Sequence, residues 1–116
     1  MTAGVKNIVI EQGATFTWNL IWNDSTSTPV DLTGYTARMQ VRKTKASTEK
    51  LLDLTTENGG ITLGGALGTI AVVASAALTE AVDAKSGVYD LELESASGVV
   101  KRLIEGEVTI SLEVTR

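Results

Sequence analysis

The chain has 116 residues, which is enough for one domain around one core. Apolar residues make up 43% and charged residues 21%, which excludes a disordered chain, and a net charge of −4 weighs against nucleic acid as the main partner. There is no cysteine and no histidine, so disulfides, thiolate sites, the commonest general base and the commonest metal ligand are all excluded.

Met1 to Asn7 carries one lysine and lacks the apolar core of a signal peptide. The most apolar run, Ala66 to Leu78, is interrupted by Gly68, Thr69 and Ser75 and is too short to span a bilayer. The expectation is a soluble protein made in a reducing cytoplasm, with no membrane partner and one domain over 1–116.

The elements follow in order. Asn7 to Glu11 is a short apolar run ended by Gln12-Gly13 and reads as an edge strand whose pairing a neighbouring molecule could share. Ala14 to Asn23 alternates, with Phe16, Trp18, Leu20 and Trp22 on one parity. It holds both tryptophans and the single phenylalanine, so it is expected to fill the centre of the core. Asp24 to Pro29 is a polar loop and Asp31 to Gly34 a turn. Tyr35 to Lys43 alternates again, with Tyr35, Ala37, Met39 and Val41 inward. Lys43 to Lys50 is a solvated loop, and Leu51 to Thr56 a strand. Glu57 to Gly60 is a turn, Ile61 to Leu63 a short strand, Gly64 to Gly68 a second turn and Thr69 to Ala74 a strand.

Ser75 to Val82 is the one helical stretch, capped by Ser75 and too short for more than a connector over 76–82. Val88 to Ser95 is a strand with Tyr89, Leu91 and Leu93 in phase, and Ala96 to Gly98 turns into the last and longest run, Val100 to Val114. There the even positions are apolar or glycine apart from Arg102, for which only a strand end reaching solvent accounts. Gly106 marks an expected bend or bulge, where the strand could change sheets. Matching the apolar faces of the last two strands opposes Leu93 with Val100, Leu91 with Arg102 and Tyr89 with Ile104, around a loop with an even number of residues. About seven to eight short strands without strand–helix alternation predict an all-β, immunoglobulin-like antiparallel β-sandwich.

Four patterns invite a functional reading. Gly59-Gly60 and Gly64-Gly65 lack the helix start and the lysine of a phosphate loop, so they read as turns. Glu92, Glu94, Glu105, Glu107 and Glu113 lie on outward parities, where a wet sheet face or a subunit contact explains them better than calcium binding or glycoside chemistry. Arg38, Arg42, Lys43, Lys45 and Lys50 against Glu49 give +4, while Glu80 to Arg116 gives −4. That separation could steer head-to-tail packing of copies, or could be two unrelated solvated surfaces. No aromatic interleaves the basic stretch, as single-strand nucleic-acid binding would want. Asp83 to Leu91 has the pattern of a tyrosine corner, with Tyr89 as its structural tyrosine. No catalytic, cofactor-binding or metal-binding residue is assigned, no cofactor is expected, and the chain reads as non-enzymatic.

The stretches Asp31 to Arg42, Gly59 to Gly64, Gly68 to Ile70 and Gly87 to Leu93 resemble a group of small phage and prophage virion structural proteins with an immunoglobulin-like β-sandwich. The shared pattern runs from about Glu11 to Thr115. The resemblance implies a tail-, baseplate- or fibre-associated part present in multiple copies in the virion. Its partners would be other virion proteins and copies of itself, as a homo-oligomer. Capsid decoration is the alternative, and a receptor- or carbohydrate-binding fibre module is another.

Overall fold

In the computed structural model, which describes residues 4–114, the alternating runs form nine strands. They are β1 (Gly4–Val5), β2 (Ile8–Glu11), β3 (Phe16–Ile21), β4 (Thr36–Arg42), β5 (Leu52–Thr55), β6 (Ile61–Leu63), β7 (Thr69–Ala74), β8 (Ser86–Glu94) and β9 (Val100–Ser111). One short helix, α1 (Ala76–Glu80), and one 3₁₀ turn at Gly65–Leu67 complete the set.

The strands divide into two sheets. The larger runs β9-β8-β4-β5, all antiparallel, with β1 and β2 both laid along the outer side of β9. The smaller runs β3-β7-β6, also antiparallel. The first groups the G, F, C and C′ strands of a variable-type immunoglobulin domain, and the second its B, E and D strands. The fold is therefore the expected all-β, immunoglobulin-like sandwich. The antiparallel expectation needs one amendment, because β1 and β2 pair with β9 in parallel, from Gly4 opposite Ile104 to Glu11 opposite Ser111. No local turn announces a pairing between the two ends of a chain.

The core lies between the sheets. It is built from Ile8 and Ile10 of β2, Ala37, Met39 and Val41 of β4, Leu52 and Leu54 of β5, Ile61 of β6, Ile70, Val72 and Ala74 of β7, Tyr89, Leu91 and Leu93 of β8, and Val108 and Ile110 of β9. Burial of each large aliphatic side chain contributes about 1.5–3 kcal/mol. The strand expected to fill the centre does not. Phe16, Trp18, Leu20 and Trp22 point inward but are only partly buried. β3 is the edge of the smaller sheet, so no strand beyond it closes over these side chains.

The last hairpin departs from the expected register. Glu94 faces Val100, Leu93 faces Lys101 and Glu92 faces Arg102; the pairing then slips by one between Leu91 and Glu92, after which Leu91 faces Ile104 and Tyr89 faces Gly106. The loop keeps an odd number of residues, closed by Ser95 N–H donating to the Val99 carbonyl (2.9 Å). The bulge restores the match between the apolar faces. It also accounts for Arg102, which stands beside Glu92 on the wet face and not in the core. β9 stays in one sheet, so Gly106 is not a crossing point between sheets.

Gly106 has another use. A Cβ there would overlap the Lys6 carbonyl oxygen. Lys6 and Asn7 form the kink between β1 and β2. Lys6 N–H donates to the Glu105 carbonyl (2.9 Å), and the Asn7 side-chain oxygen accepts from Glu107 N–H (3.0 Å). The Lys6 carbonyl is thereby released to accept from the Tyr89 hydroxyl, which reaches it across the bare Gly106. This corrects the tyrosine-corner reading: Tyr89 is structural, but it bonds the N-terminal edge strand and not the backbone just before it. The Tyr89 and Trp18 rings, their centroids 5.8 Å apart, make a T-shaped contact across the two sheets. Burial pushes the phenol up to about 12.

The connector α1 plugs one end of the sandwich. The Ser75 hydroxyl accepts from Leu78 N–H (3.3 Å), as the sequence predicts for its cap. Thr79 and Val82 are fully buried. The Thr79 hydroxyl accepts from Gly13 N–H (3.1 Å) and donates to the Ala14 carbonyl (2.8 Å), holding the turn between β2 and β3. Gln12 completes the clamp, donating to the Val82 carbonyl (3.1 Å) and accepting from Glu113 N–H (3.0 Å).

Three outcomes follow from these contacts. Thr79→Val should destabilise by about 1–3 kcal/mol in urea unfolding, because it strands buried backbone groups, and Thr79→Ser should restore most of the loss. Gly106→Ala should lower stability by about 2 kcal/mol or more and speed hydrogen exchange in β1 and β2 ahead of β4 and β8. For Tyr89 the folded state holds the phenolic proton more tightly than the unfolded state, whose tyrosine titrates near 10. Its contribution is therefore complete below about pH 10 and is lost as pH rises toward 12. Denaturation midpoints of the parent and Tyr89→Phe should converge over that range; a constant difference would contradict this.

Candidate interaction surfaces

The outer face of the larger sheet gathers most of the charge patterns seen in the sequence. β4 lies beside β8, with Arg38 opposite Glu92 and Gln40 opposite Asp90. Arg38 pairs with Glu94 (3.2 Å), and Arg102 with Asp90 (3.5 Å) and Glu105 (3.4 Å). The loop after β4 folds back over the sheet, so Lys45 reaches Glu105 (3.7 Å). Arg42 is held by the Gln40 side chain (2.8 Å) and the Ser47 carbonyl (2.8 Å), and Lys50 by Asp53 (3.5 Å). The basic stretch and the acidic C-terminal third are therefore not separate poles. Among the described residues, four of the five ion pairs join one to the other or lie within the acidic third, on one surface of one molecule. Each exposed pair contributes about 0–1 kcal/mol, so the grid sets the character of the face more than its stability.

A shallow hollow in this face is lined by Gln40, Arg42, Lys45, Asp90, Arg102 and Glu105. Its cations already face carboxylates or amide and carbonyl oxygens of the same molecule, so a ligand would have to displace them. Among the described residues no group of three or more acidic residues is placed to hold a metal ion. Glu107 lies outward next to the β1–β2 kink, where its N–H is taken by Asn7. Glu113 is drawn to Gln12 through its own N–H.

The glycine pairs are turns. Gly59 and Gly65 adopt φ of +83° and +62°, which glycine alone tolerates easily. Gly65 opens the short 3₁₀ turn, and its carbonyl accepts from Leu32 N–H (2.9 Å).

That bond belongs to a second surface, the end of the sandwich where the 22–35, 64–68 and 95–99 loops meet. Trp22 N–H donates to the Gly68 carbonyl (2.9 Å), and Gly34 packs against Ala96. Trp22 meets Tyr35 edge-on at 6.3 Å, and the Lys101 ammonium sits 5.7 Å from the Trp22 ring. The loop carboxylates serve the turns. Asp24 accepts from the Thr26 hydroxyl (2.6 Å) and from the N–H groups of Thr26 and Thr28, and Asp31 accepts from the Thr33 hydroxyl (2.6 Å) and N–H. These hydroxyl bonds first, and the N–H bonds after them, hold both acids below their ordinary range. Leu67 and Val99 are exposed on this end.

The third surface is the smaller sheet, whose strands β3, β6 and β7 contain no charged residue. Sequence reading passed over this, because it looked for charge and not for its absence. Ile21 and Val73 stand exposed on its outer face, 61% and 42% accessible.

No family model and no curated protein matches the chain. Among solved structures, one similar chain is the extracellular domain of the voltage-gated sodium channel beta4 subunit, described as a parallel homodimer with a role in cell–cell adhesion. It is 9% identical with a TM-score of 0.49, over 98% of this chain and 97% of that one. Another is a sodium channel beta-subunit chain studied for multimeric cell-adhesive interactions, 10% identical with a TM-score of 0.48, over 99% and 98% of the two chains. Likeness at this level transfers no function, and the assignment to an immunoglobulin-like sandwich stands on the strand order itself.

Proposed function

We propose that the chain is a non-enzymatic structural protein of a bacteriophage particle, a tail- or baseplate-associated part present in several copies and bound to other virion proteins and to itself. The observation that carries this reading is the family resemblance together with where its residues lie. The stretches Asp31 to Arg42 and Gly87 to Leu93 become the neighbouring strands β4 and β8, paired from Thr36 opposite Glu94 to Arg42 opposite Val88. Gly59 to Gly64 and Gly68 to Ile70 become β6 and the start of β7, which also pair. The stretches that carry the resemblance thus fall on two strand pairs, one in each sheet.

The chemistry of the surfaces supports an assembly part. Its outward carboxylates and cations serve one another, and its loop acids serve turns. A sugar-binding fibre module would use an open indole face; here Trp18 and Trp22 are partly buried, and Trp22 has Lys101 over its ring.

The N-terminal strand is unsuited to a loosely exchanged arm. Ile8 and Ile10 are core residues, so removing Met1 to Glu11 would damage the fold along with any contact it makes. Quantitative mass spectrometry of purified particles is the better test. We expect roughly tens of copies per particle, co-purifying with isolated tails. Roughly hundreds of copies on tail-free heads would mean capsid decoration instead, and absence from the particle would refute the proposal.

A further inference from the structure

We propose that two copies of this chain join through β3, pairing edge to edge in antiparallel fashion to make one continuous sheet of β6-β7-β3 from each copy. Exposed strand edges are templates for further pairing, and proteins normally blunt them by shortness, charge, proline or a break in the strand. Three of the four edges described here are blunted. β6 has three residues. β5 has four and carries Asp53, paired with Lys50. The N-terminal edge is broken at Lys6 and Asn7 and ends in Glu11.

β3 has none of these devices. It is six residues long, pairs regularly with β7 from Phe16 opposite Ala74 to Ile21 opposite Thr69, and contains no charge and no proline. Among the described residues it has a strand on one side only.

A second observation concerns its inner side chains. Inward residues of β4, β7 and β8 are fully buried, whereas Phe16, Trp18 and Leu20 are each only partly covered. One more strand alongside would complete their burial.

The occupant that fits is a second copy. A charged partner segment finds nothing on β3 to pair with. Another β3 brings no like charge, although each chain as a whole carries −4. An antiparallel self-pairing keeps Phe16, Trp18 and Leu20 of both copies on the same face when the twofold axis passes through Trp18 or Asn19. Thr17, Asn19 and Ile21 then line up on the outer face. Such an isologous contact closes on itself and leaves the charged face of the larger sheet available for other contacts.

The inference is independent of the virion reading, since a dimer can form in solution whatever particle the chain enters. Sedimentation equilibrium of the full chain tests it. The parent should show a reversible monomer–dimer equilibrium. Asn19→Lys, on an exposed position, should raise the dissociation constant about tenfold or more by placing like charges near each other across the pair. Thr17→Lys, on the same face, should do the same, with thermal midpoints near the parent's. Val9→Lys, on the exposed face of the N-terminal edge, should leave the dimer intact. A parent that stays monomeric up to about 1 mM, or a dimer that tolerates both β3 lysines, would overturn the proposal.

Discussion

One side chain binds the separate parts of this sandwich together. Tyr89 stands in the middle of β8, the central strand of the larger sheet. Its ring makes a T-shaped contact with Trp18 of the smaller sheet, and its hydroxyl holds the carbonyl of Lys6 at the N-terminal edge. The contact exists because the residue opposite is Gly106, where a side chain would overlap the Lys6 carbonyl. Lys6 can offer its carbonyl because the Asn7 side chain replaces it in the ladder with β9. Four residues from three distant stretches thus satisfy one another, and each is understandable only through the rest.

Charge is distributed with equal consequence. The larger sheet carries the ion pairs on its outer face, while the smaller sheet carries no charge in its strands. A face covered with mutually paired ions stays solvated and contributes little to stability. A sheet without charge has an open edge with nothing to discourage another strand. The two faces of one small domain are therefore suited to different neighbours.

Much of the fold was legible. The period-two alternation of Ala37, Met39 and Val41, or of Tyr89, Leu91 and Leu93, marks strands with one buried face, and all six residues are in the core. Ser75 ahead of an alanine run marks the short helix. Failures arose where a local rule met a distant partner. The aromatic residues of β3 alternate as well as any, yet alternation cannot say whether a strand is central or at an edge. The hairpin register was argued from matching faces alone, and a bulge at Leu103 reached the same match by another route, turning Arg102 outward. The basic and acidic stretches looked like opposite poles until β4 and β8 lay side by side.

By itself the sequence determined eight of the nine strands, most of their inward faces, the turns and the sandwich class, because side-chain alternation and turn chemistry act over a few residues. It also determined that the chain has neither thiol nor imidazole to work with. Only the tertiary structure decided which strand stands beside which, that β1 and β2 run parallel to β9, where the bulge falls, that Tyr89 reaches Lys6, and which edge is left open. Those are matters of pairing between residues as much as a hundred positions apart, and no local pattern encodes the partner.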